Sequence, residues 1–505
     1  MSRTFVKNLL WLQALNWLIK PVWILWIERT VQVQLGNEWY GRYFVHFNLG
    51  LLFAVLLDAG LNAYVSREVA SKGRLVHRNR VLGLRLFFGG IYVALVGIVA
   101  YQQQLDWRIL AFVLLNQILA SVLLLMRAVI QGRQLFISDG FLSVADRLIA
   151  IVLSAWFLFG SNTFIGLNGI VVFLMAQTAG YAVAVLLGWY LLRFEGSRRT
   201  PQTEEITEVP SFGRWTREVI WFVAMALFMS VFTRIDALMI RNLSPDLMGL
   251  VGLDSGYFQA GIYAQSYRLL DAGLIFSTLL STQLLPIFSK NIKEGKDNTV
   301  FMWLSFRLVW MVGLVALFTA YIFGDDILEL LYGAKWEGGP ETALAVRSHH
   351  IFIYLMGAFV AMSSIHVFGT FITAEGRMKW LTFLALAAMG LNMGINFWLI
   401  PIYGAMGAAV SALITQWFFA GACAVRVWQS ETIKTQNLKW KVIPMSAFHG
   451  LVLALGVYRL NGLPQREILE AVVWLLFVIG VVWMLLGVDI ADFLKNRKTQ
   501  IDKVL

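Results

Sequence analysis

The chain has 505 residues, 59% of them hydrophobic and 14% charged, with a formal charge of +11 and a mean hydropathy of +0.69. That composition excludes a soluble globule, which needs far more polar surface, and repeated apolar runs of about 20 residues fit membrane-spanning helices instead. The basic residues lie in short loops between the runs rather than in one patch, which excludes nucleic acid as a partner.

With a span length of about 20 residues as ruler, the pattern predicts about fourteen spans and an all-α integral membrane protein. The first begins at the N-terminus: Met1 to Leu10 carries Arg3 and Lys7 but has no small-residue cleavage site, so it is expected to be retained as a helix. The first six spans centre near Trp17, Leu51, Val93, Leu115, Val152 and Leu174. The polar stretch Arg193 to Gly213 reads as a linker. Six more centre near Met229, Phe276, Val312, Ala358, Ala388 and Leu413, and after the basic loop Arg426 to Lys441 a final pair centres near Ala454 and Leu476. The expected organisation is an N-terminal six-helix lobe with its cytoplasmic linker over 1–213, a C-terminal six-helix lobe over 214–428, and a final helix pair with a cytoplasmic tail over 429–505.

A cytoplasmic N-terminus puts Arg67, Lys72, Arg74, Arg78, Arg80, Arg193, Arg198, Arg199, Arg214, Arg217, Lys290, Lys293, Lys296, Arg426, Lys434, Lys439 and Lys441 on the inside. The outside loops then hold Arg29, Arg108, Arg241, Lys335, Arg347, Arg459 and Arg466. With Lys495, Arg497, Lys498 and Lys503 of the tail also inside, the bias is about three to one, which places both termini in the cytoplasm.

The hexapeptide Leu56-Leu57-Asp58-Ala59-Gly60-Leu61 recurs as Leu269-Leu270-Asp271-Ala272-Gly273-Leu274, a sign of internal duplication. Gly41-Arg42-Tyr43 likewise resembles Gly261-Ile262-Tyr263, and Gly166-Leu167-Asn168-Gly169 resembles Gly404-Ala405-Met406-Gly407. Six spans separate equivalent positions, so the two lobes run in the same direction, and parallel repeats place a site at their interface. In the second copy Arg268 precedes Asp271 by three residues, which on a helix sets both on one face.

With these residues in view, the chain resembles the Wzx-type lipid-linked oligosaccharide flippases of the multidrug/oligosaccharidyl-lipid/polysaccharide exporter superfamily. The resemblance covers about residues 5–430 and rests on Leu35 to Gly41, Leu57 to Leu61, Tyr263 to Leu269, Ala374-Glu375-Gly376-Arg377, Asn396, and Pro401 to Ala409. It implies two six-helix lobes around a cavity that opens alternately to each side, and an undecaprenyl-pyrophosphate-linked glycan carried from the inner to the outer leaflet of a bacterial inner membrane. The bilayer, the lipid-linked oligosaccharide and polysaccharide polymerase or assembly proteins are the partners it implies. No cofactor is expected. The arginine that lipid II flippases carry in mid second span has no counterpart around Phe53.

A flippase breaks no covalent bond; it lowers the cost of dragging a charged diphosphate and a hydrated glycan through hydrocarbon. Arginines facing a cleft grip phosphate oxygens, while amide and phenol groups replace the glycan's water. The embedded candidates are Lys20, Arg147, Arg234, Arg268 and Arg307 against Asp58, Asp146, Asp236 and Asp271. Nine such groups buried at random would cost about 20 kcal/mol, so they must pair, snorkel or face a cavity. Arg268, Arg234 and Lys20 are expected to hold the diphosphate, with Lys20 before a kink at Pro21. Asp271, Asp236 and Asp58 are the candidate coupling-ion or cavity carboxylates, and Tyr257 and Tyr263 the candidate glycan path. Arg234 and Asp236, two apart, should point to different faces, and Asp58 could equally be tied to the Arg67 side. Asp146 and Arg147, near the cytoplasmic mouth of the fifth span, are expected as interface anchors, as is Arg307.

His349-His350 carries no metal reading, because adjacent helical residues diverge by about 100°, and the single cysteine, Cys423, excludes a cysteine-cluster site. Without a Walker A sequence the chain should not hydrolyse ATP. Two other functions fit less well. A drug–cation antiporter would want a more acidic and apolar cavity, and the embedded excess of cations argues against it. A membrane glycan polymerase or ligase would want a large outside loop, and the largest outside loop, Gly324 to Ser348, has only about 25 residues.

Overall fold

A computed structural model describes residue 16 and residues 19–72, 75, 77–160, 166–194, 212–245, 255–333, 340–433 and 466–482. All regular structure among them is helical. We label the helices α1 (Arg29–Leu52), α2 (Val55–Asp58), α3 (Leu61–Lys72), α4 (Arg78–Gln102), α5 (Trp107–Gly132), α6 (Phe136–Gly160), α7 (Gly166–Phe194), α8 (Phe212–Leu243), α9 (Ser255–Lys293), α10 (Thr299–Tyr332), α11 (Pro340–Ala374), α12 (Met378–Tyr403), α13 (Ala405–Trp428) and α14 (Arg466–Val482).

Ten of the described helices are long and apolar enough to cross a membrane, and the bent pair Ile19–Leu52 with Val55–Ala70 makes eleven. The ten coincide with the third to twelfth spans expected from the sequence, so the protein is a multi-pass membrane protein. Gly36 (φ 79°, ψ 169°) interrupts the helix between the first two expected spans, in a left-handed conformation that only glycine adopts without strain. The thirteenth span near Ala454, most of the linker and the tail lie outside the described residues.

The stretch Gly324 to Ser348 is not the loop expected from the sequence: α10 continues to Tyr332, through a distortion at Phe323 (φ −109°, ψ 18°), and α11 starts at Pro340. The hydrophobic ruler measures hydrocarbon thickness, about 30 Å, whereas the 34 residues of α10 reach about 51 Å at 1.5 Å per residue. Asp325, Asp326 and Glu329 extend that helix beyond the apolar core.

The chain forms two compact units. Unit 1 comprises Met1–Ile275 with Met378–Ser411, and unit 2 comprises Phe276–Arg377 with Ala412–Leu505. This partition divides the chain at other places than 213 and 428, since its boundaries fall within α9, between α11 and α12, and within α13. In unit 2, α14 packs on α10 through Phe318 and Phe477, whose rings lie 4.0 Å apart, and Trp474 Nε1 donates to Thr319 Oγ1 at 2.8 Å. Glu375 accepts from Ser430 and pairs with Arg426 at 3.5 Å and Arg377 at 3.3 Å, tying the end of α11 to the end of α13.

In unit 1, α1 crosses α9 at glycine. A Cβ on Gly41 would strike the Tyr257 carbonyl, and one on Gly261 would strike the Asn37 carbonyl. The two Gly-x-Tyr segments that resemble one another in sequence therefore pack against each other, and only hydrogen at both crossings allows the approach. Gln32 Nε2 donates to the Gly261 carbonyl at 2.9 Å and Gln265 Nε2 to Asn37 Oδ1 at 3.1 Å.

The repeated hexapeptide takes two conformations. Residues 269–274 lie within unbroken α9, whereas in the first copy the helix ends at Asp58 and Ala59 is left-handed (φ 42°). At that break Leu57 O receives Ser121 Oγ at 3.2 Å, and at the earlier end of α1 Gly50 O receives Tyr92 Oη at 3.2 Å and Leu51 O receives Ser230 Oγ at 3.1 Å. Asp58 Oδ1 accepts the Asn62 N–H at 3.0 Å, which restarts the helix. Neighbouring helices, not the six residues, select the broken form.

Candidate functional site

The first turns after Pro21 are π-helical, Trp23–Glu28, with the Arg29 N–H reaching back to the Ile24 carbonyl. In an α-helix residues five apart point about 140° away from each other; the wider π turn brings them together. Trp23 Nε1 accordingly donates to Glu28 Oε1 at 2.9 Å. Glu28 is thereby fixed facing inward, 4% exposed.

Glu28 meets Arg268. The Arg268 Nε lies 3.0 Å from Glu28 Oε2 and 3.2 Å from Tyr40 Oη, and its guanidinium stands over Phe47 at 4.7 Å and Phe44 at 5.4 Å. Nη1 of the same group donates to Asp271 Oδ2 at 3.2 Å, the i,i+3 pair expected from the sequence. Arg234 approaches Asp271 from α8 with both terminal nitrogens at 3.3 Å, while lying over the Tyr267 ring at 5.4 Å. Arg268 and Asp271 have side-chain exposures of 7% and 14%, and Arg234 of 23%.

Asp236 points to the other face of α8 from Arg234, as its spacing predicts. Its oxygens accept from neutral donors, Tyr263 Oη at 2.9 Å and Asn396 Nδ2 at 2.8 Å. Asn392 stands behind, joined to Asn396 at 3.1 Å and to Ser411 Oγ at 3.3 Å. Tyr263 and Tyr257 are both buried. Tyr257 packs under Arg42 at 4.5 Å and Arg241 at 5.2 Å, so neither ring lies open in this conformation.

Lys20 is half-buried and interacts electrostatically with Arg127, Arg147 and Asp146. Arg127 is held by both oxygens of Asp139, at 2.7 and 3.3 Å. Arg147 lies near the middle of α6, which begins at Phe136. Its guanidinium is flanked by Trp23 at 5.2 Å and Tyr181 at 5.6 Å, and Nη2 donates to Tyr181 Oη at 3.0 Å. Arg307 is buried in unit 2 beside Trp303. Asp58, in the broken helix, takes part in none of these pairs; its charged neighbour is Arg85. Among the described residues no cluster of histidine, cysteine and carboxylate groups could hold a metal.

Sequence reasoning missed Glu28. Counting Glu28 removes the apparent cation excess around the Arg268 cluster: Lys20, Arg147, Arg234 and Arg268 face Glu28, Asp146, Asp236 and Asp271.

A family model described as polysaccharide biosynthesis protein matches residues 5–292, more than half of the chain. The chain belongs to this family. Among its relatives, the Lipid III flippase of Escherichia coli (strain K12) is 27% identical over 203 residues, 40% of this chain and 45% of that protein. The match thus spans less than half of that relative's length. In fold the chain is similar to the lipid II flippase MurJ in its inward closed conformation, with a TM-score of 0.60, 11% identity and coverage of 96% of this chain and 98% of that one. It is also similar to the Vibrio cholerae MATE transporter VcmN in the bent form, with a TM-score of 0.52, 14% identity and coverage of 84% and 97%.

Proposed function

We propose that the protein is a flippase that carries an undecaprenyl-pyrophosphate-linked oligosaccharide from the inner to the outer leaflet of a bacterial inner membrane, by alternating access, for cell-surface polysaccharide synthesis. The observation that carries the reading is the convergence of Arg234 and Arg268 on one carboxylate within membrane-spanning helices, in a chain of the polysaccharide biosynthesis family. Paired guanidinium groups match phosphate oxygens in charge and geometry. Relatives named as flippases and the fold shared with MurJ support it.

In this reading Arg234 and Arg268 grip the diphosphate, and Lys20, with Arg147 beside it, receives it nearer the cytoplasm. Asp236, bonded only to neutral donors, is the coupling carboxylate; Asp58 serves the broken second span. Tyr257 and Tyr263 shape the glycan path from behind Arg241 and Asp236. The termini are cytoplasmic, the two parallel lobes are residues 1–213 and 214–428, and polymerase or assembly proteins take the product outside.

The test places purified protein in liposomes with a fluorescent undecaprenyl-pyrophosphate oligosaccharide and follows its transfer between leaflets. Transfer by the wild type, lost in Arg268→Ala with membrane insertion normal and partly kept in Arg268→Lys, is the expected result. Equal transfer by Arg268→Ala refutes the grip, and transport of a cationic dye in place of the lipid would make the protein a drug–cation antiporter.

A further inference from the structure

Two cations share one anion in the Arg234–Asp271–Arg268 group, and the two carboxylates that touch Arg268 are held very differently. Glu28 is fixed by the π turn and by the Trp23 indole, and its side chain is 5% exposed. Asp271 has both oxygens committed to the two guanidinium groups, Oδ1 to Arg234 Nη2 and Oδ2 to Arg234 Nη1 and Arg268 Nη1, and it is the more exposed carboxylate, at 14%.

We propose that Asp271 is a resident counter-anion that occupies the Arg234–Arg268 grip when no cargo is bound and is displaced by the cargo's diphosphate. The proposal rests on the reading of the cargo given above and assigns how that site is loaded and emptied. When Asp271 swings away, three N–H donors are released. Arg268 Nη2, buried and without a hydrogen-bond partner, supplies a fourth. Donors from two planar guanidinium groups suit the oxygens of a diphosphate. Glu28 keeps Arg268 in place during the exchange, so the site does not have to be rebuilt at each turnover.

The exchange predicts a sign that a merely structural ion pair would not give. Removing the charge of Asp271 removes a competitor, so diphosphate binding strengthens, and return of the carboxylate no longer assists release, so turnover falls. The experiment titrates the full chain in nanodiscs with farnesyl diphosphate, reading tryptophan fluorescence, for wild type, Asp271→Asn, Asp271→Ala, and Asp271→Asn combined with Arg234→Ala. Binding about tenfold tighter in either single variant, with slower leaflet transfer and with the gain lost in the double variant, is the expected result. Asp271→Ala covers the case in which the asparagine variant does not fold. Equal or weaker binding in the single variants overturns the proposal and leaves the flippase reading standing. No binding by any form, wild type included, overturns both it and the diphosphate cargo.

Discussion

Replacing Glu28 by glutamine tests the anchor on which the site depends. The side chains of Glu28 and Arg268 are 5% and 7% exposed, so removing one charge leaves the other buried. Breaking such a pair typically costs about 3–5 kcal/mol. Arg268 would keep Asp271 at 3.2 Å and Tyr40 at 3.2 Å, which places the expectation at the lower end, about 3 kcal/mol. Glutamine preserves shape and an acceptor for the Trp23 indole, so the loss is electrostatic. Adding Arg268→Gln removes the orphaned cation, and the double variant should recover at least about 1 kcal/mol of the summed single losses, as coupled neighbours do. The assay is the denaturation midpoint of purified protein in detergent, followed by tryptophan fluorescence at one protein and detergent concentration. A single substitution costing under about 1 kcal/mol, as exposed pairs do, or a double variant that costs the full sum, would refute the anchor.

Two further predictions concern the helices that carry the site. Gly261→Ala should destabilise by about 1–3 kcal/mol, as overpacking does, because its Cβ meets the backbone of Asn37; the same denaturation assay reads it, and a neutral result would deny the glycine crossing. Ala59→Gly and Ala272→Gly, at matching places in the repeated hexapeptide, should shift stability in opposite directions. The first relieves a left-handed alanine (φ 42°) and should stabilise by about 0.5–1 kcal/mol, while the second puts glycine inside α9 and should cost about 1 kcal/mol. Equal signs would mean that the two copies share one conformation.

The transmembrane helices were legible because hydrocarbon thickness imposes itself directly on composition. Arg268 and Asp271 were legible because α-helical spacing is regular, and so was the divergence of Arg234 from Asp236. Glu28 was not, for a reason with the same root: its partner Trp23 lies five residues away, which an α-helix separates and a π turn unites. Beside Arg29, it reads from the sequence as the outer end of a span. The two hexapeptides show the general limit. Six identical residues are helical in α9 and broken between α2 and α3, where Ser121 from another helix receives the freed Leu57 carbonyl, and no local reading of Leu-Leu-Asp-Ala-Gly-Leu contains that donor.

Charge balance links the folding of this site to its proposed work. Arg234 and Arg268 with Glu28 and Asp271 sum to zero, which makes four ionised groups tolerable inside membrane-spanning helices. A grip of two uncancelled arginines would be costly to bury and would hold a diphosphate too firmly to let it go. Transport needs a site that binds well enough to load and weakly enough to empty. A resident carboxylate meets both demands, since the donors lost to one anion are regained from the other and the net change on exchange is small. Two carboxylates are needed for the same reason. Were Asp271 the only partner of Arg268, its departure would leave that guanidinium held by Tyr40, Phe44 and Phe47 alone. Glu28, fixed five residues from Trp23, holds Arg268 so that Asp271 is free to leave.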